Sequence, residues 1–281
     1  MPNWIWYLGL TIISLLVTGF TLWKKKNLKL IPFYFFLSVI IIYLEYVIFI
    51  IFESYTYRPN VLQNPYFDNI LGAVVSDFFS VPAAAFAIAA FQLNYIWMIS
   101  ISILFMGIEY IFLKLNIYEQ HWWKTIYTGI GLLIHFKISK EFWKSLSQTP
   151  SKTYVRIISL YASYHSIHGL LTYFLIVSFN LYLFHIGLVS NPFRDHFIVN
   201  VIYSIIIGWI AAIIIGFDLK WYYRTLGLLT FYILDWVLIK TNMLQMSPGF
   251  SINKLFVIHL LVLILIVKFN SYLISNYAIN D

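Results

Sequence analysis

Long apolar runs separated by short polar loops extend along almost the whole chain. A membrane-spanning helix needs about 20 apolar residues. The runs are continuous, whereas strands of a membrane barrel alternate in polarity, so the pattern predicts helices. About nine spans are predicted, at about residues 4–23, 31–53, 69–91, 95–113, 125–143, 156–184, 197–217, 223–239 and 254–274. The predicted fold class is therefore an all-α, polytopic membrane helix bundle.

Two stretches of this pattern resemble each other. The run Asn64-Pro65-Tyr66-Phe67-Asp68 recurs 127 residues later as Asn191-Pro192-Phe193-Arg194-Asp195. Glu109-Tyr110, followed by Lys114 and Asn116, recurs 126 residues later as Asp235-Trp236, Lys240 and Asn242. These recurrences predict an internal duplication.

The predicted duplication divides the chain into three segments. Residues 1–29 form an N-terminal helix with a basic loop, residues 30–150 a first four-helix repeat and residues 151–281 a second. Four is an even number of crossings, so both repeats begin on the same side of the membrane. The repeats are therefore predicted to be parallel, related by an axis along the membrane normal.

Charge indicates the orientation of the chain. Only 10% of residues are charged, against about 25% in soluble domains. The net charge of +7 comes from Lys and Arg at helix ends, which argues for membrane orientation and against nucleic-acid binding. With the N-terminus outside, inner loops hold twelve Lys and Arg and outer loops six. The positive-inside rule therefore predicts an outside N-terminus and an inside C-terminus.

Several kinds of chemistry lack their sequence signals. The chain has no cysteine, which removes thiolate metal sites and cysteine nucleophiles. It contains no glycine-rich phosphate-binding loop and no nucleophile elbow. No cofactor is therefore expected, and the expected contacts are membrane lipids, with a membrane-protein partner as an alternative.

Four carboxylates are predicted to lie within the spans: Glu45, Asp77, Glu109 and Asp235. A charge at this depth costs roughly 2.5–3.5 kcal/mol, so each must face protein or water. The predicted topology puts all four in the outer half of the membrane. One hypothesis is an acidic site, open to the outside, for a cation, an amine or a proton. The alternative is that each acid is paired; Glu109 and Asp235 each have a lysine five residues on.

Histidines supply a second, weaker candidate. His165 and His168 are three residues apart and share a helix face. They can hold a transition metal or relay protons, with His135 as a third ligand if the two repeats meet there. Structural, hydrogen-bonded histidines are the alternative. His121, His185 and His196 are expected to face solvent in outer loops.

Part of the first repeat resembles a known family. The relevant residues are Asn64-Pro65-x-x-Asp68-x-x-Leu71-Gly72-Ala73-x-x-Ser76, Val81-Pro82-Ala83, Glu109-x-x-x-Leu113-Lys114, Tyr118, His121-Trp122-Trp123 and Tyr127. They resemble an uncharacterised family of small multi-pass membrane proteins from spore-forming Firmicutes, over about residues 53–144. The second repeat lacks the His-Trp-Trp sequence and the proline. The resemblance implies a helical protein of a bacterial cytoplasmic membrane, and it implies no particular activity.

Three functions remain open from the sequence. The first is a transport or conduit protein that uses the outer acids as its binding site. The second is a non-catalytic structural or partner subunit of a membrane complex. The third is a membrane-embedded lipid-modifying enzyme with Asp77 or Glu45 as acid or base. The cost of buried acids favours the first.

Overall fold

The computed structural model describes residues 1–148, 152–217 and 219–274. These residues divide into two compact units, one comprising residues 1–148 and the other residues 152–217 and 219–274. Each unit consists of long helices and one pair of three-residue strands.

The first unit contains six α-helices, two π-helical turns and two strands. In chain order they are α1 (Trp4–Lys25), α2 (Leu30–Glu45), a π-helical turn (Tyr46–Ile51), β1 (Tyr55–Tyr57), α3 (Pro65–Val74), a second π-helical turn (Val75–Ser80), α4 (Val81–Ala90), α5 (Tyr95–Lys114), β2 (Tyr118–Gln120) and α6 (Thr125–Ser147). The π-helical turns continue α2 and join α3 to α4 without a break. The unit therefore has five long helical segments.

The two strands of this unit close one end of its helices. They are antiparallel, with Tyr55 opposite Gln120 and Tyr57 opposite Tyr118. Tyr57 lies against α3 at Gly72, where any added Cβ would overlap the tyrosine side chain. The Tyr7 hydroxyl on α1 donates to the carbonyl of Ile117, 2.6 Å away, and so joins α1 to this end. The sequence pattern did not predict these strands.

The Asn-Pro-x-x-Asp motif fixes the start of α3. The Asn64 side chain accepts hydrogen bonds from the backbone N–H groups of Tyr66 and Phe67, and Pro65 occupies the first turn. The Asp68 carboxylate accepts three further hydrogen bonds from the preceding loop, donated by the backbone N–H groups of Asn60, Val61 and Leu62. The motif thus ties the loop to the helix it precedes.

The second unit contains four helices and two strands. They are α7 (Thr153–Phe179), β3 (Tyr182–Phe184), α8 (Pro192–Gly216), α9 (Trp221–Lys240), β4 (Leu244–Met246) and α10 (Ile252–Ile274). The sixth predicted span, 156–184, therefore extends too far. Helix α7 ends before Asn180, whose left-handed conformation (φ 47°) turns the chain into β3.

The start of α8 has the same local structure as the start of α3. Asn191 accepts hydrogen bonds from the N–H groups of Phe193 and Arg194. Asp195 accepts from the N–H groups of three loop residues, Ile186, Gly187 and Leu188. Strands β3 and β4 are antiparallel, with Tyr182 opposite Met246 and Phe184 opposite Leu244.

Among the described residues, six helices are long and apolar enough to cross a membrane: Trp4–Lys25, Leu30–Ile51, Pro65–Ala90, Tyr95–Lys114, Pro192–Gly216 and Ile252–Ile274. Helix α6 is less apolar because it carries Lys137, Lys140, Glu141 and Lys144. The molecule is thus a helical protein with the apolar helices of a membrane protein.

Burial differs sharply among these helices. In the first unit, 78% of the residues in the apolar stretch of Pro65–Ala90 are buried, against 17% of those in α1 and in α5. The central position of Pro65–Ala90 brings its polar side chains into the interior of the unit. The apolar faces that α1 and α5 leave exposed suit contact with lipid.

Candidate functional site

Glu45 lies at the junction of α2 with its π-helical turn. Its side chain is 8% exposed, and the Tyr55 hydroxyl donates a hydrogen bond to Oε1. Burial, and then the charge of Glu45, raise the pKa of Tyr55 well above its usual value, so the phenol keeps its proton. The second oxygen, Oε2, is buried and has no hydrogen bond from any described residue. Glu45 is thus an acid with one oxygen left free.

Asp77 lies within the π-helical turn Val75–Ser80 and is 5% exposed. Its Oδ1 likewise has no hydrogen bond within the described residues. Pro82 lacks an N–H, so the carbonyl of Phe78 is predicted to lack its α-helical donor. The Tyr34 hydroxyl donates to that carbonyl over 2.7 Å. π-Helical turns such as Val75–Ser80 occur frequently at functional sites.

Glu109 on α5 has partners other than the expected lysine. The side-chain amide of Gln120 and the hydroxyl of Thr125 both donate to Oε1, the latter over 2.9 Å. Lys114 lies instead over the ring of Tyr110, with Nζ 5.4 Å from its centroid. The strand β2 and the start of α6 therefore position Glu109.

Glu45 and Glu109 line the same cavity, whose volume is about 140 Å³. Asp77 does not line it, although its neighbours Ser76 and Ser80 do. Burial, and then the charges of Glu45, Tyr118 and Asp77, raise the pKa of Tyr57 well above its usual value, so both Glu45 and Asp77 lie near this ring. The structure thus brings two of the three candidate acids of the first unit, Glu45 and Glu109, to one cavity and leaves the third, Asp77, outside its lining.

Asp235 in the second unit is fully buried. The Tyr203 hydroxyl donates to Oδ1 over 2.5 Å. Oδ2 has no hydrogen bond from a described residue, and Nε2 of His259 lies 3.3 Å from it. As at Glu109, the lysine five residues on lies over a ring, with Lys240 Nζ 5.9 Å from the centroid of Trp236. Asp235 thus has Tyr203 and His259 as its neighbours, with one oxygen hydrogen bonded and the other not.

The geometry assigns the hydrogens of this group. The Tyr203 oxygen lies 2.9 Å from His259 Nε2, and its own hydrogen is directed to Asp235. A hydrogen on Nε2, donated to the Tyr203 oxygen, completes this arrangement. On the other side of the ring, Nδ1 lies 3.1 Å from the Tyr164 hydroxyl. The sequence pattern did not predict the partners of His259, because they come from three other helices.

The histidine candidates do not assemble a metal site in the described residues. No group of three or more His, Asp or Glu side chains there has a metal-binding arrangement. His168 lies 3.3 Å from the Ser204 hydroxyl and stacks on His259, with ring centroids 5.1 Å apart. His165 contacts the ring of Tyr161. His135 is buried on α6 in the first unit, and neither of its ring nitrogens is hydrogen bonded to a described residue.

One histidine expected in solvent is buried. His196 lies in the first turns of α8, and its Nδ1 accepts a hydrogen bond from the N–H of Phe184 over 3.0 Å. It ties β3 to α8. The expectation was wrong because the span was predicted to begin at residue 197, whereas the helix begins at Pro192.

Comparison with known proteins adds no relative. No protein-family model matches the chain, and no curated protein and no solved structure is significantly similar to it.

Proposed function

We propose that the chain is a transport or conduit protein whose first unit binds a cation, an amine or a proton. The observation that carries this proposal is the cavity that Glu45 and Glu109 share, together with the free oxygen of Glu45. A buried carboxylate oxygen without a hydrogen bond is destabilising. A positively charged ligand would offset that cost. Asp77, also with a free oxygen, lies next to Ser76, which lines the cavity.

The proposed architecture has nine membrane spans. One is the N-terminal helix, and the other eight form two duplicated four-helix repeats. The described residues contain nine long helical segments, which supports that number. The repeats are supported by matching left-handed residues at the same spacing of 127 or 126: Glu53 with Asn180, Asn60 with Gly187, and Asn116 with Asn242. The matching helix starts and strand pairs point the same way.

The proposed location is a bacterial cytoplasmic membrane, with the N-terminus outside and the C-terminus inside. The distribution of Lys and Arg supports the orientation. The resemblance to the Firmicutes membrane-protein family supports the location. In this orientation the strand pair β1–β2 lies toward the outer face. The candidate acids of the first unit, Glu45, Asp77 and Glu109, lie in the outer half of the membrane.

A partner subunit of a membrane complex is the second candidate. The observation that favours it is the group around Asp235, in which the Tyr203 hydroxyl donates to one carboxylate oxygen and His259 lies 3.3 Å from the other. An acid of this kind stabilises packing and needs no transport role. The two candidates differ in the first unit, where only the first requires a ligand at Glu45.

Ligand-induced stabilisation of the purified protein tests the proposal. A ligand that binds only the folded state raises the melting temperature as its concentration increases. Screening sodium, potassium, calcium and small amines at constant ionic strength is expected to identify at least one stabilising ligand. Glu45→Gln is expected to abolish the shift. Glu119→Gln is the matched control, because Glu119 is exposed and pairs with Arg58.

Flux measurements in proteoliposomes extend the test. Asp77→Asn is expected to abolish ion-coupled uptake of the identified ligand while the protein remains folded. The proposal fails if no screened ligand gives a shift that depends on Glu45.

A further inference from the structure

The cavity of the first unit is lined by aromatic rings as well as by acids. Tyr118 lies between two of them, with its ring centroid 5.3 Å from that of Tyr55 and 5.1 Å from that of Tyr57. Trp123 continues the cluster at 5.7 Å from Tyr55 and 5.4 Å from Tyr127. All five rings line the cavity, so aromatic carbon makes up much of its wall.

Such a wall is poorly suited to a bare metal ion. Calcium takes six to eight oxygen ligands, and magnesium requires a near-ideal octahedron. The cavity offers two carboxylates, and Oε1 of Glu109 already accepts two hydrogen bonds. Within the described part of the chain, no cluster of three or more His, Asp or Glu side chains could complete the coordination.

An organic ammonium ion fits the same wall well. Aromatic faces attract such cations through the ring quadrupole, and cages of rings recognise quaternary and methylated ammonium groups. The alkyl groups bury apolar surface against the rings. The size is also suitable, since a cavity of about 150 Å³ accommodates benzene. The present cavity of about 140 Å³ therefore suits a cation of a few heavy atoms.

We infer that this cavity binds a small alkylated ammonium ion, with Glu45 as its counter-charge and with Trp123 and Tyr118 as its principal rings. The inference rests on the proposed function and specifies its ligand class. Glu45 is assigned the counter-charge because it is nine-tenths buried, lines the cavity and keeps one oxygen without a hydrogen bond.

Two adjacent tryptophans provide a matched test. Trp123 lines the cavity, whereas Trp122 is 46% exposed and lies outside the lining. Binding of tetramethylammonium chloride to the purified protein would be measured by isothermal titration calorimetry, beside sodium and potassium chloride at equal ionic strength. Trp123→Leu is expected to weaken tetramethylammonium binding by about tenfold. Trp122→Leu is expected to leave the affinity unchanged.

Two further variants keep the test independent of folding defects. Trp123→Phe retains an aromatic face and is expected to restore most of the affinity that Trp123→Leu loses. Glu45→Gln is expected to abolish tetramethylammonium binding, and the melting temperature of each variant reports its folding.

The possible results separate the inference from the function on which it rests. Binding of sodium or potassium that depends on Glu45, without binding of tetramethylammonium, would overturn the inference and leave the proposed function standing. Equal loss of tetramethylammonium binding in Trp122→Leu and Trp123→Leu would also overturn it. If no cation binds in a way that depends on Glu45, both proposals fall.

Discussion

The four candidate carboxylates differ in what surrounds them, and that difference separates their proposed roles. Glu109 accepts hydrogen bonds from Gln120 and Thr125. Glu45, Asp77 and Asp235 each retain an oxygen without a hydrogen bond from the described residues, and at Asp235 the imidazole Nε2 of His259 lies 3.3 Å from that oxygen. A buried oxygen without a partner is costly. Ligand chemistry is therefore expected to depend on Glu45 and Asp77, whose free oxygens have no such imidazole neighbour among the described residues.

At Asp235, a double-mutant cycle with His259 measures whether the pair acts as a unit. Removing one member of a buried pair leaves the other uncompensated, so His259→Leu and Asp235→Leu are each expected to destabilise the protein by about 3 kcal/mol. The double variant is expected to cost about 1–3 kcal/mol less than the sum of the two. The free energy of unfolding in detergent is the measurement. Additive effects would show that the two side chains do not interact.

An exposed histidine is the control for this cycle. His185 lies 3.4 Å from Asp195, with 53% of its side chain exposed. Asp195 is buried and already accepts three backbone hydrogen bonds, and the His185 side chain is largely exposed, so His185→Leu is expected to change the free energy of unfolding by less than about 1 kcal/mol.

Sequence reasoning at the residue scale found the acids and missed their partners. An acid within an apolar run is visible in the sequence, because a charge at membrane depth is rare. Its partner is set by folding. The hydroxyl that reaches Glu45 comes from the strand β1, and the imidazole beside Asp235 comes from α10, 24 residues further along the chain. No spacing rule predicts those contacts.

The helical segment Pro65–Ala90 shows how one element carries both a structural irregularity and a candidate site. Its π-helical turn holds Asp77, and Pro82 follows in the first turn of α4. The carbonyl of Phe78 is satisfied from outside the element, by the Tyr34 hydroxyl on α2. That one hydrogen bond supports the local backbone geometry at Asp77.

Loss of the Tyr34 hydroxyl is therefore expected to matter because of the proline. Tyr34→Phe is expected to lower the free energy of unfolding by about 1 kcal/mol. In a Pro82→Ala background the same change is expected to cost less, because the new N–H at position 82 can donate to the Phe78 carbonyl. Thermal or denaturant unfolding of the four proteins measures the difference. Tyr95→Phe is the control, since Tyr95 is 67% exposed.

The sequence predicted the helices, which depend on residues close together in the chain. The Asn-Pro-x-x-Asp motif forms a helix start because its capping residue and proline act within a single turn, although the spans were predicted to begin later, at residues 69 and 197. The strand pairs were missed because each joins residues 60 or more positions apart in three-residue segments, too short to show alternation. The π-helical turns left no pattern that differs from an ordinary apolar helix.

At the scale of the whole molecule, the two units share a local framework and differ inside it. At the spacing of 127 residues, Glu45 corresponds to Thr172 and Asp77 to Ser204, so the second unit has no acid at either matching position. Its interior holds the histidine and tyrosine group around Asp235 instead. Under the proposed duplication, the first unit has kept or gained the proposed ligand site, and the matching positions of the second unit carry uncharged side chains.

The orientation of the molecule decides from which side a ligand reaches the cavity. Val61 lies in the loop after β1, and Ser147 lies at the opposite end of the first unit, where α6 ends; both are exposed. The chain has no cysteine, so single cysteines can be labelled without background. In intact cells, Val61→Cys is expected to react with a membrane-impermeant maleimide, and Ser147→Cys is expected to react only after permeabilisation. Asn60 is a poorer choice than Val61, because its positive φ of 56° would strain a cysteine. The reverse labelling pattern would put β1 and β2 on the cytoplasmic side, and the acids below them would then take their ligand from inside the cell.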